Sequence, residues 1–436
     1  MNAIKKLTAL TCLLTLSASM FTGCGGNTNA SAADSPVTVD IFQFKVEVKD
    51  ALNKAVKEYE AEHKNVTINV QTVGGGQDYG AALKAKFASG QEPAIYNIGG
   101  PQDVKDWSNK LQDLSDQPWV SSAYSATLEA VKSGTKLYGM PFDLEGYGFV
   151  YNKLIFQKAG ISPDSIKTFS DLQNAVKTLD SKKSSLGIDA VFALPGKENW
   201  VTGLHLSNVA FANEFKDAVE AFNAKTIDFK YNDGIKKLLD LQINYGYKPD
   251  GTNKSIDSVD YSTSVEKLFS LGKVAIIQQG NWIAGTVKGI DTNIWSNMGL
   301  LPMPIDGTPE GSIPVGIPMY WAVNSSKDTA TKKAAEDFLN WLYTSDKGKK
   351  LIIKDFGFVP ALKGYDSEDL QPSDPLSKDI LKYSNDNKTI PWVFMGYPTG
   401  WGQDKLGADI QKYISGDLTW DKLVQNAKDN WADSRK

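Results

Sequence analysis

The strongest constraint on the fold is the alternation of short β-rich runs with helix-period segments that begins at residue 37. Val37–Phe44 reads VTVDIFQF, a run dominated by β-branched and aromatic residues. A helix-period segment follows at Lys49–His63, then a second β run at Val66–Val73. Next come a helix at Asp78–Ser89, a short apolar run at Ala94–Ile98 and a helix at Val104–Leu114. Strands that alternate with helices in this way predict βαβ units around a mostly parallel sheet. Sheets of this kind place ligands outside the carboxyl ends of their strands. Those ends are Gln43–Lys45, Gly74–Gly76 and Asn97–Gly100.

Further along, the chain is more helical, with amphipathic stretches at Phe169–Leu179, Ile235–Ile243 and Ser262–Leu271. Two more strands are expected, at Lys273–Gln278 and Pro314–Val323. Residues 329–354 and 402–434 read as helix, the latter interrupted at Ser415-Gly416. Some 400 residues of body exceed what one hydrophobic core usually organises and predict two domains.

The first residues carry a different signal. Lys5 and Lys6 precede an apolar stretch from Leu7 to Met20, which ends in Phe21-Thr22-Gly23-Cys24. An apolar segment this short, with a basic start, reads as a secretory signal over residues 1–23. The cysteine after Gly23 resembles a bacterial lipobox, which implies cleavage before Cys24 and acylation of that cysteine. Residues 25–36, GGNTNASAADSP, then form the rest of a flexible tether over 24–36. The expected location is the outer face of a bacterial cell membrane, with membrane contact through the N-terminal lipid only. Cys12 and Cys24 are the two cysteines, so the mature chain would keep one and form no internal disulfide.

A formal net charge of −4 disfavours a nucleic-acid partner. Of 47 basic residues, Arg435 is the sole arginine. The planar guanidinium is the favoured clamp for carboxylate and phosphate. Its scarcity argues for an uncharged ligand, although lysine or a helix N-terminus can also hold an anion. Aromatic side chains are plentiful, with 11 Trp, 17 Tyr and 18 Phe.

Several segments in a fixed order carry a family resemblance. Leu137-Tyr-Gly-Met-Pro141 leads to Gly148-Phe-Val-Tyr-Asn-Lys153, Lys158-Ala-Gly160 and Thr168-Phe-Ser-Asp-Leu172. Phe269-Ser-Leu-Gly-Lys-Val-Ala275 leads to Gln279-Gly-Asn-Trp282, and Trp321-Ala-Val-Asn324 to Ala334–Leu339 and Phe358–Ala361. Together they resemble family 1 of the bacterial extracellular solute-binding proteins, the group that includes maltose-binding protein. The resemblance implies a two-lobed α/β, periplasmic-binding-protein-like fold with the ligand in a cleft between the lobes. Lobe one is expected at 37–143 plus 321–366 and lobe two at 144–320 plus 367–436. The crossings would fall near Asp143–Gly146, Met319–Trp321 and Gly364–Asp366. It further implies a monomer that needs no cofactor or metal and delivers a sugar to the permease subunits of an ABC importer.

A sugar offers an apolar C–H face and a rim of hydroxyls, so its site should combine aromatic platforms with well-placed polar groups. Trp282, after Gly280-Asn281 at a strand-to-helix turn, matches a position where the family stacks sugar. Trp401, in the aromatic loop Ile390–Trp401, matches another; Trp392, Tyr397 and Trp200 are further platform candidates. Tyr320 and Trp321 lie at an expected crossing. Asp143 and Glu145 straddle the first crossing on one side of an extended segment, with Tyr147 beside them. Gln43, Gln77, Asp78 and Asn97 lie at or just after strand ends, and Asn281 precedes Trp282. For each aromatic the competing reading is core packing. No catalytic residue is expected, although two close carboxylates beside aromatic rings also fit a glycoside hydrolase, and a sugar-sensing surface module is a further alternative. The expected ligand is a neutral oligosaccharide, with a cellodextrin as the leading choice.

Overall fold

Two separate β-sheets organise the chain, each with its own hydrophobic core. The structure is a computed structural model that describes residues 35–74 and 78–436. The leader, Cys24, nearly all of the tether and the candidate Gln77 lie outside the described residues.

The first sheet is built from β1 (Val37–Gln43), β2 (Val66–Thr72) and β3 (Ile95–Ile98), with helices α1 (Lys49–Glu62), α2 (Tyr79–Ala88) and α3 (Pro101–Asp106) between and after them. β1 pairs in parallel with both β2 and β3. α1 forms because Ala51, Leu52, Ala55, Val56 and Tyr59 recur at helical spacing and make one buried face. A small hairpin, β4 (Lys132–Ser133) and β5 (Lys136–Leu137), precedes β6 (Met140–Pro141).

The second sheet centres on β7 (Glu145–Asn152), buried along its whole length. Around it lie β8 (Ala190–Phe192), β9 (Val274–Gly280), β10 (Met298–Leu301), β11 (Ile313–Gly316) and later β13 (Thr389–Ile390). β7 runs antiparallel to β9, β10 and β11, so this sheet is mixed. β12 (Tyr320–Val323) returns to the first sheet, giving the order β2-β1-β3-β12-β6. It runs antiparallel to β3 because the chain re-enters from the opposite direction.

The expected single strand Pro314–Val323 is therefore two strands in two sheets. Pro318 falls between them, where a residue without a backbone N–H ends a ladder. The expected helix Val104–Leu114 is also shorter, ending at Asp106. Residues 111–112 are claimed instead by extended pairing, with Gln112 N donating to Val323 O at 2.9 Å. The break in the last helical stretch falls at Gly416, with φ +82°.

One core gathers side chains from residues 39–142 and 317–365. The other two clusters draw on residues 147–313 and 376–431. Where the chain passes between them, Phe142 N donates to Met319 O at 3.1 Å and Leu144 N to Val359 O at 2.8 Å. Both lobes nevertheless belong to one body, residues 37–436. Among the described residues, no helix is long and apolar enough to cross a membrane.

Candidate functional site

Strand β7 carries both halves of the candidate site. At its start, Glu145 pairs in register with Gly316 of β11; two residues on, Tyr147 pairs with Gly280 at the end of β9. The chain after β9 turns directly into Asn281-Trp282, and Asn281 Oδ1 accepts Gly146 N at 3.2 Å. Trp392 lies across β11: a Cβ on Gly316 would sit 2.5 Å from the indole Cγ, so only glycine lets the ring pack there.

These elements gather aromatic rings around His205. Tyr147 stacks on the imidazole at 4.2 Å, and its hydroxyl donates to the His205 carbonyl at 2.9 Å. Trp200 and Trp282 approach the imidazole at 5.2 and 5.3 Å, Phe394 at 5.3 Å and Trp392 at 5.7 Å. Burial pushes the His205 pKa down to about 3, so the ring is neutral at ordinary pH. Trp200 and Trp282 keep part of their surface open, whereas Trp392 is buried.

The polar groups among the rings are unevenly spent. Trp282 Nε1 donates to Gln279 Oε1 at 2.7 Å, and Trp200 Nε1 to Glu198 Oε2 at 3.1 Å. Gln279 Nε2 and Trp392 Nε1 are buried donors with no hydrogen-bond partner. Unmade bonds of this kind are costly in a folded interior.

The other half of the site is charged. Lys45, just beyond β1, contacts Glu145 and lies 3.0 Å from Glu47. Burial opposes its charge, but Glu145, Glu47 and Asp143 outweigh burial and hold its pKa above the usual lysine value. Asp143 is buried with Oδ1 unpartnered, and burial together with Glu145 holds its carboxyl well above the usual range. The arrangement is an ion pair bridging the two sheets, with an acidic acceptor left over beside it.

A family model described as bacterial extracellular solute-binding protein matches residues 45–349, more than half of the chain. The chain belongs to that family. Among similar solute-binding proteins, the multiple sugar-binding protein of Streptococcus mutans is 24% identical over 370 residues, covering 83% of this chain and 84% of that one. The melibiose/raffinose/stachyose-binding protein MelE of Bacillus subtilis is 23% identical over 343 residues, covering 76% and 75%. A chitin oligosaccharide binding protein superposes with a TM-score of 0.74 at 24% identity, covering 92% of this chain and 99% of its own.

Within this solute-binding fold the expected site residues separate into two groups. Glu145, Asp143, Trp200, Trp282 and Trp392 lie in or beside the cluster just described, with Tyr147 and Asn281 supporting it from below. Gln43 and Asn97 are at the expected strand ends, but their amides are engaged by the scaffold. Gln43 Nε2 donates to Lys45 O at 2.9 Å and to Thr72 Oγ1 at 2.7 Å. Asn97 Oδ1 accepts Phe44 N at 3.3 Å.

Five expectations are corrected. Asp78 is exposed and caps α2 by accepting Ala81 N at 3.0 Å. Trp401 is 0% exposed, its Nε1 donates to Ala427 O at 3.0 Å, and it packs against Trp431. Tyr397 is buried edge-on to Trp401, with its hydroxyl 3.2 Å from Ser207 Oγ. Trp321 is in the first core, stacked on Phe142 and donating to Tyr343 Oη at 2.9 Å. Tyr320 is buried, and its hydroxyl donates to Thr127 O at 2.8 Å. For the four aromatic residues a scaffold partner engages the polar tip and core side chains cover the ring.

Four side chains absent from the expected set pack into the same candidate cluster: Lys45, His205, Gln279 and Phe394. Lys45 and Gln279 were within reach of sequence reading, since both lie at strand ends. His205 and Phe394 lacked any local signal. A surface groove of about 410 Å³ lies elsewhere on lobe one, lined by Asp40, Asn69, Lys86 and Glu92 among others, and shares no residue with this cluster.

Proposed function

We propose that this chain is the substrate-binding component of an ABC-type importer, capturing a neutral sugar by closure of its two lobes. The carrying observation is the ring cluster around His205, where partly open Trp200 and Trp282 lie beside the unspent donors of Gln279 and Trp392. Stacked rings match a sugar's C–H face, and the donors match its oxygens. A ligand that touches both lobes favours their closed arrangement, which is what a transporter can read. The sugar-binding names of its relatives support the same reading. We take an oligosaccharide as the ligand, with a β-linked gluco-oligosaccharide as the lead because its flat rings suit successive tryptophans.

The protein binds this sugar without converting it, and it is held at the outer membrane surface by a lipid on Cys24. A thermal-shift screen over gluco-, xylo- and malto-oligosaccharides of graded length tests the ligand. Stabilisation by a neutral sugar is expected; stabilisation by charged solutes alone would overturn the reading. Chromatography of the incubated sugar should show no cleavage, and a Cys24→Ala chain should be released into the medium.

A further inference from the structure

The one arginine in the sequence sits where the lobes meet. Arg435 follows the last helix, Trp420–Ser434, in lobe two. Its guanidinium lies over the rings of Phe222 and Trp431, 5.1 and 5.5 Å from their centroids. Nη2 donates to the carbonyl of Gly396 and, at 3.5 Å, to that of Ala221. All of these partners belong to lobe two. Nη1 reaches the other way and donates to Gln102 Oε1 on α3 of lobe one at 2.7 Å.

Two neighbouring contacts join the same elements. Thr399 Oγ1 donates to Asp106 Oδ2 of α3 at 2.7 Å. The backbone of Met395 packs on Gly100, just before α3, so closely that a Cβ there would lie 2.6 Å from the Met395 carbonyl oxygen. The segment making these contacts, residues 395–399, continues directly from Trp392 and Phe394 of the ring cluster.

We infer that Arg435 is an affinity-determining residue that does not touch the ligand: it latches α3 to the Met395–Thr399 segment and thereby favours the closed arrangement of the lobes. The inference rests on the reading of the chain as a two-lobed sugar-capturing protein. A lysine could supply the charge here but not the planar fork, which serves acceptors in both lobes while stacking on two rings. Apparent affinity scales with the population of the binding-competent arrangement, so a bond between the lobes that is lost when they part would strengthen binding from a distance.

The test compares the parent with Arg435→Ala, Arg435→Lys, Gln102→Ala and the Arg435→Ala/Gln102→Ala pair. Calorimetry gives the affinity for the sugar that stabilises the parent, stopped-flow gives its dissociation rate, and small-angle X-ray scattering gives the radius of gyration without ligand. Each alanine variant should bind roughly tenfold more weakly, the scale of one charge-assisted hydrogen bond, mainly through faster dissociation. The double variant should be no weaker than the weaker single, because both remove one bond. Arg435→Lys should lie nearer to alanine than to the parent, and ligand-free Arg435→Ala should be more expanded than the parent.

Parent-like binding by Gln102→Ala, additive losses in the double variant, or an unchanged radius of gyration would each overturn the latch. Should Arg435→Ala fail to fold, Gln102→Ala removes the same contact from lobe one and Asp106→Ala removes the neighbouring Thr399 contact. A parent that binds no sugar refutes the proposed function, and the scattering comparison of ligand-free chains still decides the latch.

Discussion

Lys45 and Glu145 form a buried ion pair across the two sheets: Lys45 follows the last residue of β1 in the first, and Glu145 opens β7 in the second. The contact ties lobe one to the strand that supports the ring cluster. Its energetic weight lies in what happens when one partner is lost. In Lys45→Met, Glu145 and Asp143 face one another in a buried site without a cation, with the exposed Glu47 nearby, which should cost about 3–5 kcal/mol of stability. Urea unfolding reads this directly, and a loss below 1 kcal/mol would show that the carboxylates are solvated or protonated.

Two tryptophans separate ligand contact from core packing. Trp282→Ala should weaken sugar binding by about ten- to a hundredfold, on the scale of an interface anchor, with a modest change in melting temperature. Trp401→Ala should do the reverse, costing about 3–5 kcal/mol of stability as a large core truncation while the folded fraction binds like the parent. Calorimetry and thermal unfolding of both variants check the contrast.

His205 should make stability depend on pH. Its folded pKa, about 3, lies below the ordinary value of 6.5, so the unfolded chain takes up a proton that the folded chain refuses. This contribution is full above pH 6.5 and is lost as pH falls toward 3, on the order of 4 kcal/mol across the window. A His205→Phe chain, which keeps a ring in the cluster, should show a shallower fall in unfolding free energy between pH 6.5 and 4. Parallel curves for the two chains would mean that His205 is not shielded from solvent.

Gly316 should be intolerant of a side chain. Gly316→Ala places a methyl against Trp392, so the ring must move and sugar affinity should fall several-fold, with quenched tryptophan emission reporting the displacement. Unchanged affinity would mean that Trp392 does not have to lie against β11.

How much of this was legible in the sequence follows from the range of the interactions. The βαβ start was readable because α1 buries a face at helical spacing next to β-branched runs. The position of Trp282 at a strand-to-helix turn was readable because the strand end and the turn are set locally. Trp401 and Trp200 are each followed by a helical turn and look alike in sequence, yet Ala427 and Trp431, some thirty residues beyond Trp401, draw only that ring into the core. The Lys45–Glu145 pair joins residues a hundred positions apart, beyond any local pattern. The division of the expected strand 314–323 did have a marker, Pro318, whose missing donor falls where the chain leaves one sheet for the other.

Capture of a neutral sugar on the Trp200–Trp282–Trp392 face is decided by isothermal titration of the parent and of Trp282→Ala with the oligosaccharide that gives the largest thermal shift. The parent should give a saturable one-site isotherm with a negative heat-capacity change, and the variant should lose at least tenfold in affinity. Equal affinity of the two chains, or no heat with any neutral sugar, would contradict it.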